Sequence, residues 1–204
     1  MIKYSKNANR GQEKTMTSKA KKPGFTIRNI CYISIFTAIT AVCAQISIPM
    51  PMGVPFTLQT FAVPLAGIAL GAKKGALSAA VYIILGIIGV PVFAGFSGGV
   101  GVLFGKTGGY IISFPILALC AGIGSDLYGK IKNLWLKNAV LYAGLIIGAA
   151  VNYICGMLVG GIVLSCGFSQ AFFLFVLPFI PTAVIKIILA GITGISVKKI
   201  FREK

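Results

Sequence analysis

The sequence predicts an all-α membrane protein with six transmembrane helices and both termini on the cytoplasmic side. Three observations carry that expectation. Apolar residues make up 57% of the 204-residue chain and the mean hydropathy is +0.93, outside the range of soluble domains. Apolar windows of about 20 residues, the length needed to cross roughly 30 Å of hydrocarbon, recur from Ile27 onward without the alternation of barrel strands. Finally, 17 of the 19 Lys and Arg fall in segments that six spans place on one side: the tail, 73–74, 130–137 and the C-terminal end.

In chain order, residues 1–24 are polar and basic with no apolar core, which predicts a disordered cytoplasmic tail rather than a signal peptide. Residues 25–204 then form a single transmembrane domain. The first span runs from Ile27 to Ile48 and stops at Pro49 and Pro51. Small residues recur on it four apart: Ser34 with Ala38, Thr37 with Ala41, Thr40 with Ala44. Such ladders serve close helix packing, or here docking of a partner membrane protein on Ala38, Ala41 and Ala44.

The second span, Leu58 to Ala72, is short, and Lys73 and Lys74 separate it from the third, Gly75 to Val90, which stops at Pro91. The fourth covers Gly108 to Asp126, the fifth Leu134 to Leu164, and the sixth Gln170 to Val197. A Pro-rich loop before the second span and a Gly-rich loop after the third are almost uncharged. Loops of Gly, Pro, Thr and Gln between spans suit covering a small ligand.

Charge and composition exclude several functions. The net charge of +16 lies in clusters between apolar runs, not in a basic stripe with interleaved aromatics, so the positive-inside rule accounts for it without nucleic acid. Five scattered cysteines and no histidine make neither a disulfide framework nor a zinc site. GVGVLFGKTGG imitates a phosphate loop, but Val100 stands where that motif needs its first Gly, and Phe104 ends what would be GxGxxG. With only three acids, Glu13, Asp126 and Glu203, neither magnesium binding nor acid–base catalysis can be assembled, and Asp126 reads as a solvated charge. No catalytic residue, metal ligand or cofactor is expected.

One residue stands against its surroundings. Lys186, in PFIPTAVIKIILAG, lies about 18 Å along the helix from Lys198, near mid-membrane, where an unpaired ammonium costs several kcal/mol. It snorkels, sits neutral, or faces a polar cavity whose anion is supplied by a ligand; Pro178 and Pro181 would open the helix towards such a cavity. Asn152 interrupts a ladder of Gly144, Gly148, Gly156 and Gly160 and serves either as interhelical glue or as a ligand contact. Gln59, Thr57 and Tyr110 are further hydrogen-bonding candidates in or beside the uncharged loops.

PFTLQTF at Pro55 to Phe61, LGAKKGALSAAVYIILGIIGVPVFAG at Leu70 to Gly95 and GKTGGY at Gly105 to Tyr110 together resemble the BioY biotin transporters, the substrate-binding (S) components of energy-coupling factor (ECF) transporters. The resemblance implies a six-helix, multi-pass protein of the cell membrane that captures biotin from outside. It also implies a transmembrane coupling subunit and two cytoplasmic ATPases that use ATP in its place, with the ladder on span one as the docking face. The family commonly reads GPTGGY where this chain has Lys106, and PFLPGDLIK where it has Ala183 in place of the Asp; Lys186 matches the family Lys. Ala183 leaves open an S component for another small anionic vitamin. A solitary secondary transporter is the rival from a different class, disfavoured because the spans lack the carboxylates that hold protons or sodium.

Overall fold

The computed structural model describes residues 26–50 and 53–202, so the expected tail at 1–24 lies outside the described residues. The chain divides at residue 30. In the first unit Thr26 O accepts from Asn29 N and Ile30 N, closing the first turn of a helix; the architecture below is that of Cys31 onward.

The helices are α1 (Ile27–Gln45), α2 (Gln59–Leu70), α3 (Ala72–Ile87), α4 (Gly108–Ile112), α5 (Phe114–Tyr128), α6 (Leu134–Val163), α7 (Phe168–Phe175) and α8 (Ile180–Arg202). The Pro-rich loop adds a two-stranded antiparallel ribbon that composition did not foretell, β1 (Ser47–Ile48) with β2 (Phe56–Thr57), registered Ser47 to Thr57. Among the described residues three stretches are long and apolar enough to cross a membrane, Ile27–Gln45, Leu134–Val163 and Phe168–Phe201, while Gln59–Leu70 and Phe114–Tyr128 are apolar but shorter. Large apolar side chains lie exposed along them, among them Ile146, Ile147 and Ile162 on α6 and Val184, Ile188 and Ile192 on α8. In water such surfaces would aggregate; against lipid they are at home.

Breaks fall where the backbone chemistry places them. Pro115, near the start of α5, cannot donate to the preceding turn, so span four splits at Ser113, whose hydroxyl donates to Gly109 O and Tyr110 O. Span six splits likewise: α7 ends at Phe175, a 3-10 turn covers Leu177–Phe179 around Pro178, and α8 restarts at Ile180.

Two expectations about charges change. Lys73 and Lys74 belong to the first turn of α3 rather than to a loop, because Gly71, at φ +84°, turns the chain between α2 and α3 within one residue. Nor is Asp126 merely solvated. Its Oδ2 accepts from Ala72 N (3.2 Å), satisfying a donor at the start of α3, and its Oδ1 lies 3.0 Å from Lys198 Nζ, which also donates to Ser125 O and Oγ. This clasp ties α3, α5 and α8 together at one end.

The centre is α2, buried from Ala62 to Ala69 and packed against α3, α5 and α8, with α5 also against α6. Gly67, Gly75 and Gly122 let α2, α3 and α5 meet backbone to backbone: a Cβ on Gly67 would strike Ala118 O, one on Gly75 would strike Gly67, and one on Gly122 would strike Ala72. The α1 ladders mostly turn inward. Thr37 donates to Ile33 O and Ser78 O, Thr40 to Phe36 O, Ala44 is fully buried and Ala41 packs on the core; only Ser34 and Ala38 remain exposed. Two of the three predicted docking alanines therefore serve internal packing.

Candidate functional site

Between the two almost uncharged loops and the bundle lies a cavity of about 240 Å³. Val54, Pro55 and Thr57 line it from the Pro-rich side, Phe93, Ala94, Ser97, Val102 and Thr107 from the Gly-rich side, and Tyr110, Ile111, Phe114, Tyr153 and Phe179 from the helices. At the rim Lys106 lies against Gly53, whose φ of +79° and lack of a Cβ admit it. Mostly apolar walls with a few converging polar groups are what a small-molecule site requires.

Lys186 is one of those groups. The break before Ile180 starts α8 at a point that brings residue 186 under the β2 strand, and the residue is 6% exposed. Its Nζ donates to Thr57 O (2.6 Å) and Thr60 Oγ1 (3.0 Å) and stands 3.8 Å above the centre of the Phe56 ring. No carboxylate among the described residues pairs with it, since Asp126 holds Lys198 instead. A backbone carbonyl, a hydroxyl and a ring face stabilise the ammonium but leave its charge uncompensated.

The remaining polar groups form a chain of hydrogen bonds. Thr57 Oγ1 donates to Gln59 Oε1 (2.9 Å), Gln59 Nε2 donates to the Tyr82 hydroxyl, and that hydroxyl donates to Val92 O (2.9 Å). This chain runs from the Pro-rich loop through α2 and α3 to the start of the Gly-rich loop. Gln45, at the end of α1, completes the hold: its Nε2 donates to Phe93 O (3.1 Å) and its Oε1 accepts from Phe96 N (2.9 Å).

The five ligand candidates fare differently. Lys186, Thr57, Gln59 and Tyr110 border the cavity together, but the Tyr110 hydroxyl donates to Phe175 O, so what the ring offers a ligand is chiefly its face. Asn152 is not on this cavity. Its Nδ2 donates to Tyr110 O (2.9 Å) and Ser113 Oγ (2.8 Å), joining α6 to the α4–α5 junction as interhelical glue. The glycines around it have unequal duties. Gly144 and Gly148 bring α6 against α5, while Gly156 and Gly160 make room for the rings of Tyr110 and Phe175.

Sequence reasoning missed Gln45, Thr60, Tyr82 and the aromatic wall of Tyr153 and Phe179. Gln45 and Tyr82, polar groups within apolar spans, were the available signal.

A buried cation at the edge of a partly open, largely apolar cavity, carried by helices with lipid-compatible surfaces, defines a membrane protein that takes in a small molecule. The chain belongs to the BioY family, whose model matches residues 14–203. It is 43% identical over 159 residues to the probable biotin transporter BioY of Pyrococcus horikoshii, covering 78% of this chain and 89% of that one. It is 37% identical over 181 residues to the biotin transporter BioY of Thermotoga maritima, covering 87% and 100%. Its fold is similar to that of the S-component for biotin from an ECF-type ABC transporter, with a TM-score of 0.74 at 24% identity, covering 85% of this chain and 92% of that one.

Proposed function

We propose that this chain is the biotin-capturing S component of an ECF transporter, a multi-pass protein of the cell membrane. Family membership and the named activity of its relatives support the substrate. The observation that carries the mechanism is Lys186, a buried ammonium with no described carboxylate partner at the edge of the cavity. Biotin's ionised carboxylate supplies the missing negative charge, and its ring system lies against the aromatic walls. Thr57 and Gln59 offer the remaining hydrogen bonds.

Six spans with cytoplasmic termini follow from the distribution of basic residues, with the shorter helices α2, α3 and α4–α5 completing the count. The Gly-rich loop then faces outward. The chain works without a cofactor of its own, and a transmembrane coupling subunit with two ATPases supplies the energy. The face of α1 carrying Ser34 and Ala38 meets that coupling subunit, while Ala41 and Ala44 belong to the interior. Reconstitution in liposomes tests this: the chain alone should bind biotin without accumulating it, and uptake should appear on adding the partners and ATP. Accumulation by the chain alone would overturn the reading.

One observation keeps a second substrate in view. Ala183 borders a small cavity beside Lys186 in place of a carboxylate. Another small anionic vitamin is the reading it favours, and mass spectrometry of the molecule that copurifies decides between them.

A further inference from the structure

Beside the main cavity, and sharing Thr60, Tyr153 and Lys186 with it, lies a second cavity of about 20 Å³, lined also by Asn152, Ala183 and Ile187. That is room for one water molecule, since about 10–15 Å³ of such space suffices. The walls hold an unanswered acceptor. Asn152 is 1% exposed and its Oδ1 has no hydrogen-bond partner among the described residues. The amide cannot be turned round to cure this, because its other end faces Tyr110 O, a carbonyl that accepts only from Nδ2. Burying an amide oxygen without a donor forfeits the hydrogen bonds it makes in water.

Thr60 supplies the complementary group. Lys186 has donors only, so in the 3.0 Å contact Thr60 Oγ1 accepts, and its own hydrogen is free to go elsewhere. We propose that the small cavity is a hydration site whose single water accepts from the Thr60 hydroxyl and donates to Asn152 Oδ1. The water completes a path from Lys186 through Thr60 to Asn152 and on to Tyr110 O and Ser113. It holds the Thr60 lone pair towards Lys186, which leaves the third ammonium hydrogen for the main cavity. Asn152 is thus a positioning residue acting at a distance on the cation. This role rests on the proposal that Lys186 meets the ligand's carboxylate; the water site itself does not.

A high-resolution crystal structure of the unmutated protein should show one density peak about 3 Å from both Asn152 Oδ1 and Thr60 Oγ1. The peak should vanish in Ala183→Val, whose added methyls fill the space. No peak, or Lys186 Nζ sitting on Oδ1 in its stead, would overturn the site. In titrations with biotin and its neutral amide, Ala183→Val should lose three- to ten-fold of the preference for the acid, with amide affinity little changed. An unaltered preference with the peak gone would overturn the positioning role. If Ala183→Val fails to fold, Ala183→Cys, whose single added sulfur fills the same space, serves both measurements. Absence of any acid preference in the unmutated protein strikes the carboxylate reading alone, and the density peak still decides the site.

Discussion

Replacing Lys186 by methionine removes the charge and roughly keeps the apolar stem. In the native protein the ammonium spends two of its three donors on Thr57 O and Thr60 Oγ1. A ligand carboxylate would take the third and supply the absent countercharge. A charge-assisted hydrogen bond of this kind contributes about 1.5–3 kcal/mol, roughly a ten- to hundred-fold preference for biotin over its amide. Lys186→Met should abolish that preference while amide affinity changes little. The fold should survive. Leaving the Thr57 carbonyl without this donor costs about 1–3 kcal/mol, and removing a buried ammonium that lacks a protein carboxylate relieves a desolvation cost of several kcal/mol. Calorimetric titration of both proteins with both ligands closes the cycle, and thermal unfolding in detergent checks the fold. Equal affinities of the native protein for acid and amide would refute the assignment of Lys186 to the carboxylate.

Gly156→Ala puts a methyl into the Tyr110 ring, so we expect a loss of about 1–3 kcal/mol in stability together with weakened biotin binding, read by thermal shift and titration. Gln45→Leu releases the Gly-rich loop from α1 and should speed biotin dissociation more than it slows association, as stopped-flow would show; an unchanged off-rate would mean the loop is held by other contacts. A single cysteine at Val100, 49% exposed, in a background without the five native cysteines should react with an impermeant maleimide from outside intact cells. Labelling only after permeabilisation would reverse the topology.

Much of the frame was legible because membrane helices obey length and charge rules that act locally. Leu134 begins α6 and Gly108 begins α4 where the pattern indicated, and the proline at 178 marks a true break. Lys186 announced itself by cost: an ammonium in an apolar span needs a reason. The side to which a small residue turns was not legible, since a ladder such as Thr40 with Ala44 looks the same facing a neighbour within the chain or outside it. Nor were the groups to which Gln45 and Tyr82 donate, which are backbone carbonyls and carry no residue identity. Asn152 showed that a polar group in a span is significant, without showing which cavity it borders.

The hydrogen-bond chain from Thr57 through Gln59 and Tyr82 to Val92 makes the two loops one thermodynamic unit. Lifting either loop would break a link and strand a buried polar group. A ligand that gripped Thr57 would therefore steady the backbone at Val92 without touching it.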